Sequence, residues 1–296
     1  MVVTCLGEVM LELRPADSSS QLSLGVGGDT FNTAVMLSRE NVSTGYLTAL
    51  GKDRFSDQIL DRAHAEGVGT AGVQFDSDAL PGLYLIQNDA SGEREFFYWR
   101  DHSPSRRLFD SDEKLKACIE YCCKSEWLYL SGITVAVMAQ QQKRRFLEFL
   151  KALKNTGVSI AFDPNYRPRL WDSVEDAKLW HATLMGYSDL VLPTLVDEQA
   201  LWGADSAKSV IEHCQAAGVT TVVVKCPNAQ AVAWNGNESV ECGTRYRGLV
   251  VDTTGAGDAF NAGFLAAHLA GQCLAECLQR AHEVASRVLA VRGALP

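Results

Sequence analysis

Short apolar runs alternate with helical stretches through most of this chain, and that rhythm restricts the fold more than any other feature. Residues 44–50, 127–131, 158–163, 190–193 and 221–225 read as strands, with helical stretches such as 56–66 between them. The start reads similarly: residues 2–7 form a short buried strand, which Glu8 to Leu13 continue with alternation before Pro15 and the polar run 17–21. Such alternation predicts an α/β fold with a mostly parallel sheet, helices on both faces and ligands beyond the carboxyl ends of the strands. Asp163-Pro164-Asn165-Tyr166-Arg167, Thr194 and Lys225 all fall at such ends.

Residues 72–100 break the rhythm. Runs 83–88 and 95–99, separated by Asp89-Ala90-Ser91-Gly92, read as a hairpin. Strand alternation puts Phe96, Tyr98 and Arg100 on one face and Phe97 and Trp99 on the other. A hairpin apolar on both faces needs cover on both, from a ligand it closes over or from another subunit. We therefore expect one domain over 1–296 carrying a lid or clasp, its strands within about 8–24 and 72–105, and a homo-oligomer in which the lid takes part.

Two glycine-rich segments introduce helices. Gly25-Val26-Gly27-Gly28-Asp29-Thr30 leads into an apolar helical run, with Asp29 or Thr30 the expected cap. Its glycines permit close backbone approach to a ligand or tight packing of helix on sheet. Asp252-Thr253-Thr254-Gly255-Ala256-Gly257-Asp258 precedes a second helix, expected to start at Asp258 or just before. The free N–H groups of Gly255, Ala256 and Gly257 and the positive end of the helix dipole suit an anion. Asp258 beside them reads either as a helix cap or as a general base next to a phosphate.

A net charge of −9 argues against nucleic acid or a membrane surface as a partner, so an anionic ligand must be held by a few placed cations. No run reaches the roughly 18 apolar residues of a membrane helix and the first residues lack a basic leader, which makes the cytoplasm the expected location. The nine cysteines fall at helical spacings without a CxxC pair, so they are expected to be reduced and mostly buried.

The motifs GxxxxGK[ST], HExxH and GxSxG are absent, as is GxGxxG with a following acid. What remains is an anion hole beside a carboxylate, glycine-rich backbone and scattered cations, the combination that phosphoryl transfer to a hydroxyl requires. Gly27-Gly28-Asp29-Thr30-Phe31-Asn32-Thr33-Ala34 and Asp252 through Gly263 resemble the two signatures of the ribokinase-like (PfkB) carbohydrate kinases. Within that family four segments are similar to the 2-keto-3-deoxygluconate kinases: residues 80–84, 92–100, Leu128-Tyr129-Leu130-Ser131-Gly132-Ile133 and Asn165-Tyr166-Arg167-Pro168-Arg169-Leu170-Trp171.

The resemblance implies a three-layer αβα sandwich with a β-sheet lid, using ATP and Mg2+ to phosphorylate the sugar acid at its 6-hydroxyl. It assigns Asp258 as base and the backbone of Gly255, Ala256 and Gly257 as anion hole. Gly28, Asn32, Tyr84, Tyr98, Arg100 and Arg167 fall to the sugar acid, and Lys225, Thr254, Gly255 and Gly257 to the nucleotide. Thr194 and Asp197 stand where many members have Asn-x-x-Glu, leaving Asp197 to hold magnesium through water. Lys225-Cys226-Pro227-Asn228 lacks the usual glycine, and Pro227 removes an N–H from that loop. A carboxylate substrate needs a cation, and arginine's planar fork suits it, which marks Arg100 and Arg167. The alternatives are a kinase of another sugar, such as fructose or a nucleoside, and a non-catalytic sugar-acid sensor on the same fold.

Overall fold

A strand that is apolar on both sides is stable only between two layers, and most strands here are of that kind. The computed structural model describes residues 1–15, 21–88 and 94–295, so the polar run and the hairpin turn named above lie largely or wholly outside the described residues. In chain order the strands are β1 (Val3–Leu6), β2 (Met10–Pro15), β3 (Leu22–Gly27), β4 (Thr44–Leu50), β5 (Gly69–Phe75), β6 (Gly82–Asn88) and β7 (Arg94–Trp99). They continue with β8 (Trp127–Ser131), β9 (Ser159–Asp163), β10 (Leu190–Val191), β11 (Thr221–Cys226), β12 (Gln230–Trp234) and β13 (Ser239–Gly243). The helices are α1 (Asp29–Arg39), α2 (Arg54–Ala65), α3 (Asp112–Cys122), α4 (Gly132–Ala136) and α5 (Gln140–Asn155). After them come α6 (Val174–Tyr187), α7 (Leu195–Trp202), α8 (Ala207–Ala216), α9 (Ala256–Leu269) and α10 (Leu274–Leu289).

Nine strands form one sheet in the order β13-β12-β11-β10-β9-β8-β1-β4-β5, parallel except for the β11-β12-β13 edge. Successive residues of its central strands face opposite layers, as the period of two requires. Val3 and Cys5 of β1 and Tyr129 of β8 pack with Phe31, Phe264 and Leu278, from α1, α9 and α10. Leu6, Leu128 and Leu130 instead meet Phe146, Leu184 and Ile211, from α5, α6 and α8. The sandwich thus has three layers and two cores, one on each side of the sheet. All nine cysteines are free, and Cys5, Cys118, Cys122, Cys214 and Cys277 are buried.

A second sheet has the order β3-β2-β6-β7. Glu8 to Leu13 therefore do not continue β1: the chain crosses at Gly7 to Val9 into this smaller sheet, where β2 pairs with β3 and β6. Period-two alternation persists across the crossing because one strand follows another, so the pattern alone could not mark the change of sheet. Residues 72–75, at the start of the stretch expected to hold lid strands, belong instead to β5, the edge strand of the main sheet, parallel to β4.

Register explains the composition of the small sheet. Glu12 pairs with Tyr84 and Tyr84 with Tyr98, so they share a face, and Gly25 and Gly27 lie on that face opposite Glu12 and Met10. A Cβ on Gly27 would sit 2.2 Å from the Tyr84 hydroxyl, so the absence of a side chain there makes room for the Tyr84–Glu12 hydrogen bond of 2.6 Å. Leu24, Leu13, Leu85 and Phe97 line up across the other face, and Phe97 and Trp99 are exposed.

Candidate active site

The carboxyl ends of β1, β8, β9, β10 and β11 open into one cleft of about 760 Å³, which the aromatic face of the small sheet covers. Glu8, Ile133, Asp163, Asn165, Thr194 and Lys225 reach it from the strand ends, Gly28, Asp29 and Asn32 from the start of α1, and Thr253, Thr254, Gly255, Gly257 and Asp258 from the start of α9. Met10, Tyr84, Phe96, Tyr98 and Arg100 come from the small sheet or its edge.

Both helices are capped by a glycine, which departs from the Asp29 or Thr30 cap expected for the first and agrees with a start just before Asp258 for the second. Helix α1 is capped by Gly28 with no side-chain hydrogen bond, and Asp29 is its first residue. Gly28 has φ +151°, and a Cβ there would lie 2.4 Å from the Glu8 carbonyl oxygen, so the main chain passes too close for any other residue. The Asp29 carboxylate is thereby released to accept from Asn165 Nδ2 at 2.9 Å. Helix α9 begins at Ala256, with left-handed Gly255 (φ +75°) as its cap. Asp258 is therefore the third helical residue and caps nothing. Its Oδ2 accepts from Asn32 Nδ2 at 2.8 Å, joining the two glycine-rich segments across 226 positions of sequence.

Of the three amides expected to form an anion hole, Ala256 N–H donates to the Thr253 carbonyl at 3.2 Å. The left-handed turn at Gly255 bends that amide back into the loop, and Gly255 and Gly257 are the two of the three residues that line the cleft. The loop itself is held by Asp252, which accepts from Thr254 N–H at 2.6 Å and from Gly293 N–H at 2.9 Å.

Burial dominates the electrostatics. It pushes the Asp258 carboxyl up to about 8; the nearby charges of Asp29 and Asp163 push the same way, while Asn32 and Lys225 oppose them. Asp29 is raised for the same leading reason. Folding therefore retains a proton on Asp258 that an unfolded chain releases near 3.8. Between those values the folded state binds more protons, so this group makes stability fall as pH rises through the window from about 4 to about 8. Asp258→Asn cannot ionise. Its melting temperature should exceed that of the wild type by a margin that widens across the window, and melting curves near pH 5 and near pH 9 that differ by the same margin would refute the assignment.

Lys225 is mostly buried, and Nζ donates to Asn261 Oδ1 at 2.9 Å and Asp163 Oδ1 at 3.3 Å. Asn261 Nδ2 in turn donates to Asp163 Oδ2 at 2.8 Å and to the Tyr129 hydroxyl at 3.0 Å. Asn261 lies one turn after Asp258 on α9, so this closed polar unit fixes the helix that carries Asp258. Lys225 still lines the cleft, but its ammonium is already committed to the unit.

Arg100 is buried and forms an ion pair with buried Glu8, and its guanidinium lies 5.5 Å from the centre of the Tyr98 ring. Arg167 is half-exposed; Nη1 donates to its neighbour's carbonyl at 3.0 Å and approaches Asp197 Oδ2 at 3.4 Å. Tyr84 is buried, and burial and the Glu12 carboxylate raise its hydroxyl far above the ordinary value. Tyr98 is about half-exposed. Asp197 is thus engaged by Arg167. Next to it Glu198 is buried with Oε1 unpartnered, and desolvation followed by the Asp197 charge lifts it to about 8. Among the described residues no three ligating side chains converge on one point. The loop after β11 adopts left-handed geometry without glycine, at Asn228 (φ 58°) and Ala229 (φ 52°).

Sequence reasoning singled out the loop of Asp163 and Asn165 without giving either residue a role, and it missed Glu8 and Asn261. A signal existed for Glu8, an acid between Gly7 and Val9 in an apolar run. For Asn261 the signal was its place within the Asp252 to Gly263 signature, three residues after Asp258.

Among the described residues, no helix is long and apolar enough to cross a membrane. The family model for pfkB family carbohydrate kinases matches residues 2–296. The chain is 37% identical over 300 aligned positions to the 2-dehydro-3-deoxygluconokinase of Escherichia coli K12, covering 99% of this chain and 96% of that protein. It superimposes on the 2-dehydro-3-deoxygluconokinase of Thermotoga maritima with a TM-score of 0.86 at 21% identity, covering 100% of this chain and 96% of the other. An E. coli ribokinase II homologue crystallised with ATP and Mg2+ gives 0.87 at 21%, covering 99% and 94%. With its sandwich fold, its two glycine-opened helices meeting at Asp258 and a family match along nearly its full length, the chain belongs to the pfkB family of carbohydrate kinases.

Proposed function

We propose that the protein transfers the γ-phosphoryl group of ATP to the 6-hydroxyl of 2-keto-3-deoxygluconate, also called 2-dehydro-3-deoxygluconate, giving 2-keto-3-deoxy-6-phosphogluconate. The observation that carries this reading is one cleft lined both by a partly buried carboxylate at a helix start, Asp258, and by two arginines from other elements, Arg100 and Arg167. Asp258 accepts the hydroxyl proton as the oxygen attacks phosphorus, and Asn32, which donates to its carboxylate, orients it. The amides of Gly255 and Gly257 and the α9 dipole meet charge on the transferred group. Gly28 lets the sugar approach the main chain, Tyr84 and Tyr98 wall its carbon skeleton, and Arg100 and Arg167 face its carboxylate. Lys225 acts through Asp163 and Asn261 by fixing α9, and its charge favours ionised Asp258.

A magnesium ion accompanying ATP would neutralise phosphate charge. Asp197 at the start of α7, which sits against the cleft residue Arg167, would hold a hydrated ion through water, whereas Glu198 lines a separate cavity with Trp202 and His213. The exposed Phe97 and Trp99 face of the small sheet is the surface that a second copy of the chain would cover.

The test is ATP-dependent phosphorylation across a panel of sugar acids and neutral sugars. The keto sugar acid should be preferred over fructose and nucleosides; equal rates on neutral sugars would favour the broader sugar-kinase reading, and no transfer to any of them the sensor reading. Arg167→Ala removes a weakly paired cation and should raise KM for the sugar acid about three- to tenfold with kcat little changed. An equal rise for a neutral sugar would show that charge pairing is not its role.

A further inference from the structure

Glu8 stands where the chain leaves β1 for the small sheet, and Arg100 stands where it leaves β7, so their ion pair ties both ends of that sheet at the cleft. The pair is only partly made. Glu8 Oε2 meets Arg100 Nη2, yet Glu8 Oε1 and Arg100 Nε are both buried without a hydrogen-bond partner. A carboxylate seated squarely on a guanidinium makes two parallel bonds, so half of the fork is left open. The ring of Tyr98 beneath the guanidinium restrains its plane but brings no anion.

We infer that Glu8 is a specificity-determining residue, an internal carboxylate that competes for Arg100 and so sets how strongly the protein prefers an anionic sugar to a neutral one. The inference rests on the reading that Arg100 faces the substrate's carboxylate. With Glu8 ionised the pair has no net charge, and an entering carboxylate gains hydrogen bonds while meeting a second carboxylate on the same cation. Two consequences favour keeping that acid. An unpaired buried arginine is costly in the empty protein. The phosphorylated product also keeps its carboxylate, so a tempered grip assists its release.

The experiment compares KM for 2-keto-3-deoxygluconate with KM for 3-deoxyfructose, the same skeleton with the carboxylate replaced by a hydroxymethyl group. Wild type, Glu8→Gln, Arg100→Gln and the double variant are measured. Glu8→Gln should raise the neutral-to-acid KM ratio about three- to tenfold, and Arg100→Gln, alone or with Glu8→Gln, should cut the acid preference to the part that Arg167 supplies. A purely structural Glu8 would move both KM values by one factor; that result, or a fallen ratio, overturns the inference. If the acid preference is undiminished in Arg100→Gln, the reading of Arg100 itself fails. If Glu8→Gln does not fold, Glu8→Asp, with its carboxylate one methylene farther from Arg100, carries the same comparison: a raised ratio supports the inference and an unchanged one overturns it.

Discussion

Asp258→Asn is expected to lower kcat by about 10²–10⁴-fold in a folded protein, the range that a positioned general base contributes. Asparagine keeps the size of the side chain and a carbonyl oxygen for Asn32 Nδ2, so the bridge between α1 and α9 can persist while the capacity to accept a proton is lost. The pH profile supplies a second, independent readout. Burial holds the Asp258 carboxyl protonated up to about pH 8, and a base must be ionised to act. In the wild type kcat/KM should climb with pH and level off near 8, since that ratio reports the free enzyme, and the climb should be missing from the residual activity of the variant. Turnover near the wild-type value, or an unchanged acid limb in the variant, would remove Asp258 from the chemistry.

Gly255→Ala should lower kcat about 10²–10³-fold while KM for the sugar acid stays close to the wild-type value. Two effects combine at this position. The left-handed φ of +75° costs alanine on the order of 1–2 kcal/mol. Steric exclusion matters more: the added Cβ would lie 2.7 Å from Ala294 Cβ and 2.9 Å from Ala294 Cα, and the latter is main chain that cannot rotate away. The segment that would have to move is held to Asp252 through Gly293, and Asp252 also positions Thr254, so any shift reaches the loop that presents the Gly255 and Gly257 amides. Arg100, Arg167 and the tyrosines lie on other elements, which is why binding should survive. A folded variant whose kcat falls less than about tenfold would show that these amides do not meet developing charge.

Much of this was legible from local pattern. The runs read as β4, β8, β9, β10 and β11 lie within two residues of their observed positions, because a buried parallel strand is a continuous apolar run bounded by polar ends. The two glycine-rich segments pointed to helix starts at a cleft, since glycine is needed where main chain passes main chain, as Gly28 does beside Glu8. Where the reading went astray, locally identical patterns had different destinations. Met10 to Leu13 alternate in β2 as they would in a continuation of β1, and residues 72–75 fall in the stretch expected to hold lid strands until β4 is placed beside them. The cap of α1 was misjudged because Asp29 has the composition of a cap, and the choice left open for Asp258 falls against a cap for the same reason: in each case a preceding glycine already turns the chain and the carboxylate is free to reach an asparagine far along the sequence.

By itself, the sequence determined the layered α/β architecture, the two anion-ready helix starts, and the family to which their spacing belongs, because all three depend on residue types at short, regular intervals. Tertiary structure alone decided which charges are available. Arg100 is half-claimed by Glu8 across 92 positions, Lys225 is committed to Asp163 and Asn261, and Asp258 is raised by desolvation and by two carboxylates from other segments. Charge state depends on how much water is excluded and on which partner stands within a few ångströms, and both are set by segments that meet only when the sheet and its layers assemble.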